Sequence, residues 1–155
     1  MKRIKIISLV LALVCIISFC SCGKDKEDRI EDIITIADSV SINGENVDTV
    51  EARMGAFEGS QGDYIEFKFS EAQTFNTVFI NEKTTSIRQF NIYAEVDGQY
   101  MLIYTGKNVF NNEIAVEETT ATAIKFEVVN TEIGNDAFTI IGISAYNIEE
   151  EQNGN

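Results

Sequence analysis

Histidine, proline and tryptophan are missing from this sequence altogether. Without histidine the chain lacks the usual proton shuttle near neutral pH and the commonest metal ligand. Without proline it has no polyproline docking segment. Cysteine is scarce and badly placed for structure: Cys15, Cys20 and Cys22 all fall within the first 22 of 155 residues. The body therefore has no disulfide framework, no thiolate zinc site and no thiol nucleophile. Positive charge is also short, with 12 Lys and Arg against 25 Asp and Glu and a formal net charge of −13. Such a chain does not bind phosphate backbones through counterion release, so nucleic acid is excluded as a partner.

What is present at the N-terminus is a leader. Met1–Lys5 is a short basic region, and Ile6–Phe19 is an apolar run broken only by Ser8, Cys15 and Ser18. That run is too short for a comfortable membrane span of about 20 residues and suits a signal-peptide core. It ends in Phe19-Cys20-Ser21-Cys22-Gly23, and a small residue before a cysteine at this position resembles the bacterial lipobox. Cleavage after Ser21 would leave Cys22 as the lipidated residue, because Phe19 is too bulky to precede a cleaved Cys20. Two or three acyl chains, at about 0.8 kcal/mol per buried CH₂, anchor durably where one does not. The expected organisation is a signal peptide over 1–21, lipidated Cys22 and a charged tether over 22–32, a folded domain over 33–148 and a polar tail over 149–155. The tether, a Lys/Asp/Glu-rich run, also resembles surface-export signals of Bacteroidetes lipoproteins. The expected address is the bacterial cell envelope, with the membrane as a partner through the lipid.

The body reads as β. Tyr64–Phe69 alternates apolar and polar residues, with Ile65, Phe67 and Phe69 on one face. Period two of this kind predicts a half-buried strand. Phe75–Asn81, Phe90–Val96, Gln99–Thr105, Glu113–Val116, Ala123–Val129 and Phe138–Ile148 continue the pattern. Asp97-Gly98 between two such runs is a tight-hairpin signal. In residues 24–38 a helical stripe competes with the β-branched run Ile33–Ile36, and the reading adopted is a first strand there. Seven or eight short strands separated by turn signals predict an all-β fold, an antiparallel β-sandwich or jelly roll.

Strand parity locates a binding end. If consecutive strands run antiparallel, segments 43–62, 82–88, 106–111 and 130–137 share one end, and 70–74, 97–98 and 117–122 share the other. The first set is longer and richer in polar residues. A rigid sandwich with such loops gathered at one end suits a binding module.

The stretch Gly62–Asn147 resembles the discoidin domain, the coagulation factor 5/8 type C domain of the galactose-binding-like superfamily. It is especially similar to family 32 carbohydrate-binding modules and to the version attached to bacterial glycosidases, including α-L-fucosidases. Asp63–Phe69 and Thr74–Ile80 match its paired strands, with Asn81-Glu82 at the position of its Gln-Glu. Phe90–Tyr100 matches its strand and Asp-Gly turn, with Tyr100 where the family has tryptophan; Ala121–Val128 and Phe138–Tyr146 match its late strands. The resemblance implies a galactose-binding-like jelly roll and a role in glycan or surface-ligand binding. The glutamate that often ligates calcium in carbohydrate-binding members falls on Gly142.

Sugar recognition needs an apolar platform and planar polar side chains that bracket hydroxyls. At the loop-rich end the polar candidates are Arg53, Glu82, Lys83, Arg88, Asn108, Asn130 and Asn135. Phe57 and Phe110 are the aromatic candidates, with plugging of the core as their structural role. Glu82 has an alternative role in closing its strand, and the two arginines have one in surface ion pairs. No cofactor is expected. Calcium is the one ion whose oxygen ligands the loops offer, with Asp48 and Asp136 as candidates, and turn chemistry accounts for the same residues. Gly106-Lys107 lacks phosphate-loop spacing, and Gly55, Gly59 and Gly62 spell no dinucleotide fingerprint. The expected function is therefore a non-enzymatic, lipid-anchored surface module that binds an extracellular glycan. The contrasting expectation is an accessory lipoprotein that docks an envelope protein.

Overall fold

The computed structural model describes residues 31–47, 49–109 and 112–148. The leader, Cys22, most of the tether, Asp48, Phe110 and the tail 149–155 lie outside the described residues.

The described chain opens with a single 3₁₀ turn, Ile33–Ile36, where a strand was expected. Strand propensity loses here to side-chain capping. Asp32 Oδ1 accepts from the backbone N–H of Ile34 at 3.1 Å and from that of Ala145 at 3.0 Å, while Ile33 and Ile34 are buried. A carboxylate that satisfies the first N–H groups of a turn favours the turn over extension.

Eight antiparallel strands follow: β1 Ser39–Ile42, β2 Glu45–Val47, β3 Phe57–Ser60, β4 Tyr64–Glu82, β5 Ile87–Val96, β6 Gln99–Gly106, β7 Asn112–Thr131 and β8 Ala137–Tyr146. A one-turn helix, α1 Val50–Arg53, precedes β3, capped by the Thr49 hydroxyl. Segment 43–62 thus contains two strands and a helix as well as loops. Asn43-Gly44 and Asp97-Gly98 form two-residue hairpin turns with positive φ at both positions, which suits Asn-Gly and Asp-Gly.

Residues 70–74 and 117–122 are strand, where connectors were expected. β4 and β7 each cross both layers and bend together; their ladder shifts register between Lys68 and Gln73, then continues through Gln73↔Ala121 and Thr74↔Thr120. At the bend the hydroxyls of Thr74 and Thr120 pair at 2.7 Å. The first half of β4 joins β1 and the second half of β7 in a six-stranded layer of order β2-β1-β4-β7-β5-β6. Its second half joins β8 and the first half of β7, and β3 borders β8 in the smaller layer. Fold class and strand phase agree with the sequence reading.

The core lies between these layers. Phe67, Phe126, Ile65, Ile92 and Ile124 meet Phe75, Ile80, Ile140 and Ile143, all almost fully buried. Each such side chain contributes roughly 1.5–3 kcal/mol on removal from water. Phe57 packs edge-on against Phe138 at 5.1 Å, so it is a core residue.

Candidate functional site

Residues 82–86, 107–109 and 132–136 meet at the end that strand parity assigns them, whereas segment 43–62 does not gather there as one loop: its helix α1 packs beside the 3₁₀ turn. At one end, β4 crosses to β5 through 82–86, β7 turns to β8 through 132–136, and residues 107–109 follow β6. Backbone bonds tie them together: Lys83 N to Thr139 O at 2.8 Å, Glu132 N to Ser86 O at 2.8 Å, Asn108 N to Arg88 O at 3.4 Å and Gln61 N to Asp136 O at 3.2 Å. The opposite end carries the Asp97-Gly98 turn and a clasp from the Ser70 backbone N–H to Asp38. Hydrogen bonds from Ser70 hold the Asp38 carboxyl below its usual pKa.

The sequence candidates take different parts in this end. Glu82 is buried, and its Oε1 accepts from the N–H of Ser86 (2.6 Å), the N–H of Ile87 (3.0 Å) and the hydroxyl of Thr84 (2.9 Å). It closes the loop from within. Arg88 donates to the Thr85 carbonyl at 2.8 Å and pairs with Glu132 at 2.9 Å, so it braces two loops against each other. Lys83, Asn108, Asn130, Asn135 and Asp136 are exposed, and Asn108 holds a positive φ of 56°. Asn130 stands opposite Gln89 at the end of the β5–β7 ladder, and Asn135 bridges back to Glu132. Ile133, at the tip of that turn, is fully exposed. Arg53 is exposed at the end of α1, which packs beside the 3₁₀ turn and not among these loops. Among the described residues no three of His, Cys, Asp or Glu gather as metal ligands.

A second cluster escaped the sequence reading. On the outer face of the six-stranded layer, Glu66, Lys125, Tyr93 and Leu102 stand in one row across β4, β7, β5 and β6. The Lys125 ammonium lies 4.4 Å from the ring centre of Tyr93, 4.7 Å from Tyr100 and 5.3 Å from Tyr64. Tyr93 donates its hydroxyl to Glu127 at 2.8 Å, and Tyr100 donates to Glu66. Asn91 also reaches Glu127 at 3.3 Å. Burial first, then the neighbouring carboxylate, raises the hydroxyl pKa of both tyrosines. Alternation marked Tyr64, Glu66, Lys125 and Glu127 as outward, while the run Gln99–Thr105 gave no face for Tyr100 or Leu102. Only the ladder registers bring three tyrosines round one lysine.

No protein-family profile matches the sequence, and no curated protein matches it. Solved structures do. Chitosan-binding module 1 of a Paenibacillus sp. IK-5 chitosanase/glucanase superposes with a TM-score of 0.60 at 16% identity, over 75% of this chain and 98% of that one. The family 32 carbohydrate-binding module of Streptococcus pneumoniae EndoD gives 0.58 at 15%, over 76% and 100%. A putative α-L-fucosidase from Bacteroides thetaiotaomicron gives 0.52 at 26%, over 61% of this chain; the chain spans only 22% of that enzyme's length. The chain thus shares the β-sandwich fold of these carbohydrate-binding modules, and the sequence resemblance holds at the level of fold.

Proposed function

We propose that this chain is a non-catalytic glycan-binding module, held outside the cytoplasm by a lipid on Cys22, whose loops at one end of the sandwich meet the sugar. The observation that carries the reading is the gathering of 82–86, 107–109 and 132–136 at one end of a rigid two-layer fold that solved carbohydrate-binding modules share. Loops held by a rigid scaffold are the usual seat of recognition. The neighbours support the class of ligand and not one sugar. One is a chitosan-binding module, one a pectin-binding module, and one is in complex with 4,5-unsaturated mannuronic acid. In this reading Glu82 and the Arg88–Glu132 pair stiffen the loops, while Asn108, Asn130, Asn135 and Lys83 offer donors and acceptors to hydroxyls.

The test is a glycan array with protein that begins at Cys22. Selective hits of millimolar to micromolar affinity, weakened by Asn130→Ala or Asn135→Ala, are expected. A silent array together with a stable partner in cross-linked pull-downs would favour the envelope-docking alternative. The anchor is tested separately. Cys22→Ser is expected to release the protein from membranes, and retention would reject lipidation at Cys22.

A further inference from the structure

The Lys125 ammonium is held in an unusual way. Three ring faces surround it at 4.4–5.3 Å, yet among the described residues it makes no hydrogen bond and no ion pair. The carboxylates closest in the ladder, Glu66 and Glu127, are instead engaged by tyrosine hydroxyls. A phenol that donates to a carboxylate becomes richer in electrons, and its ring face attracts a cation more strongly. The rings respond to positive charge and compact shape, and not to the stem that delivers it.

We propose that Tyr64, Tyr93 and Tyr100 form an ammonium-binding site, filled in the free protein by the chain's own Lys125, and that its ligand is a glycan with free amino groups. The inference rests on the glycan-binding reading but assigns a different surface, the outer face of the six-stranded layer. Three features support it. Lys125 is half-buried on a flexible four-carbon stem, so its head can leave the rings for water. A net charge of −13 draws polycations and repels polyanions. Beside the cage, Leu102 is 55% exposed and offers an apolar surface to the C–H face of a sugar.

The chain supplies its own probe, since it has no tryptophan and three of its five tyrosines form the cage. Tyrosine emission is followed while fully deacetylated glucosamine oligomers, or N-acetylated oligomers of the same length, are added. The amino oligomers are expected to give a saturable change, with the acetylated ones at least about tenfold weaker. Lys125→Met empties the cage and keeps the stem, so it should tighten the amino oligomers several-fold. Tyr93→Leu should abolish their effect while far-ultraviolet dichroism stays that of the parent. Equal binding of both oligomers, no binding of either, or unchanged or weaker binding by Lys125→Met would overturn the proposal. So would retention of binding by Tyr93→Leu, which would leave only diffuse charge attraction. The two sites fail separately: array hits lost in Asn130→Ala belong to the loops, and amino-oligomer binding that responds to Lys125→Met belongs to the sheet face.

Discussion

Tyr100 on β6 donates its hydroxyl to Glu66 on β4, across the two strands that separate them. A tyrosine spans that gap only by lying over the sheet, and in doing so it covers Lys125. The strut also ties an edge strand to the middle of its layer. Tyr100→Phe keeps the ring and loses the tie. It is expected to lower stability by about 1 kcal/mol, within the roughly 0.5–1.5 kcal/mol net worth of an ordinary hydrogen bond, because Tyr100 is partly exposed and water screens the carboxylate. Urea unfolding followed by circular dichroism measures this.

Glu82→Ala should be far more damaging than any exposed substitution at the same end. It strips two backbone N–H groups and a hydroxyl of their acceptor inside the loop. Leaving buried donors unsatisfied costs about 1–3 kcal/mol each. Glu82→Gln keeps an acceptor oxygen and should recover much of the loss. Chemical denaturation of both variants checks the order.

Gly55 tolerates no side chain. It has φ of 80°, and a Cβ there would lie 2.3 Å from the backbone nitrogen of Ile143. Gly55→Ala therefore combines a left-handed backbone with a clash against β8. A loss of about 2 kcal/mol or more is expected, read as a lower melting temperature. Gly98→Ala meets open space at a φ of 76° and should lose less.

Alkali should destabilise the fold through its tyrosines. Burial and the Glu113 carboxylate push the Tyr146 hydroxyl up to about 12, and Tyr93 and Tyr100 are raised in the same direction. In the unfolded chain these groups ionise near 10. Between pH 10 and 12 the folded state holds more protons than the unfolded one, so stability falls as pH rises. It is fully present below pH 10. Unfolding by denaturant at pH 9, 10.5 and 11.5 should show a falling midpoint, and absorbance near 295 nm should show phenolate appearing late in the native protein. A constant midpoint would contradict the burial of these hydroxyls.

Much of this architecture was legible in residue order. Period-two alternation in Tyr64–Phe69 and Ala123–Val129 marked which side chains enter the core, because burial in a sheet follows that period. Asp97-Gly98 announced its hairpin for a steric reason; the equivalent turn at Asn43-Gly44 lies hidden inside a segment that reads as loop. Parity put 82–88 and 130–137 together at one end and the Asp97-Gly98 turn at the other, but it also put α1 with the first group, where it does not lie. The 3₁₀ turn at Ile33–Ile36 was not legible, since it depends on Asp32 reaching Ala145, 113 positions away. Nor was the continuity of β4 and β7, because polar residues at a bend between layers look like a loop.

The candidate residues divide along the same line. That Arg88 and Glu82 lie at the loop end follows from their order in the chain; that one braces Glu132 and the other is enclosed by backbone donors follows from contacts between distant segments. Residue order was enough for the fold class and for the inward face of the strands that alternate, since both obey local periodicity. Which outward residues meet depends on contacts between strands far apart in the chain. Ladder register sets cross-strand neighbours, and it is through register that Lys125 on β7 came to stand among tyrosines from β4, β5 and β6.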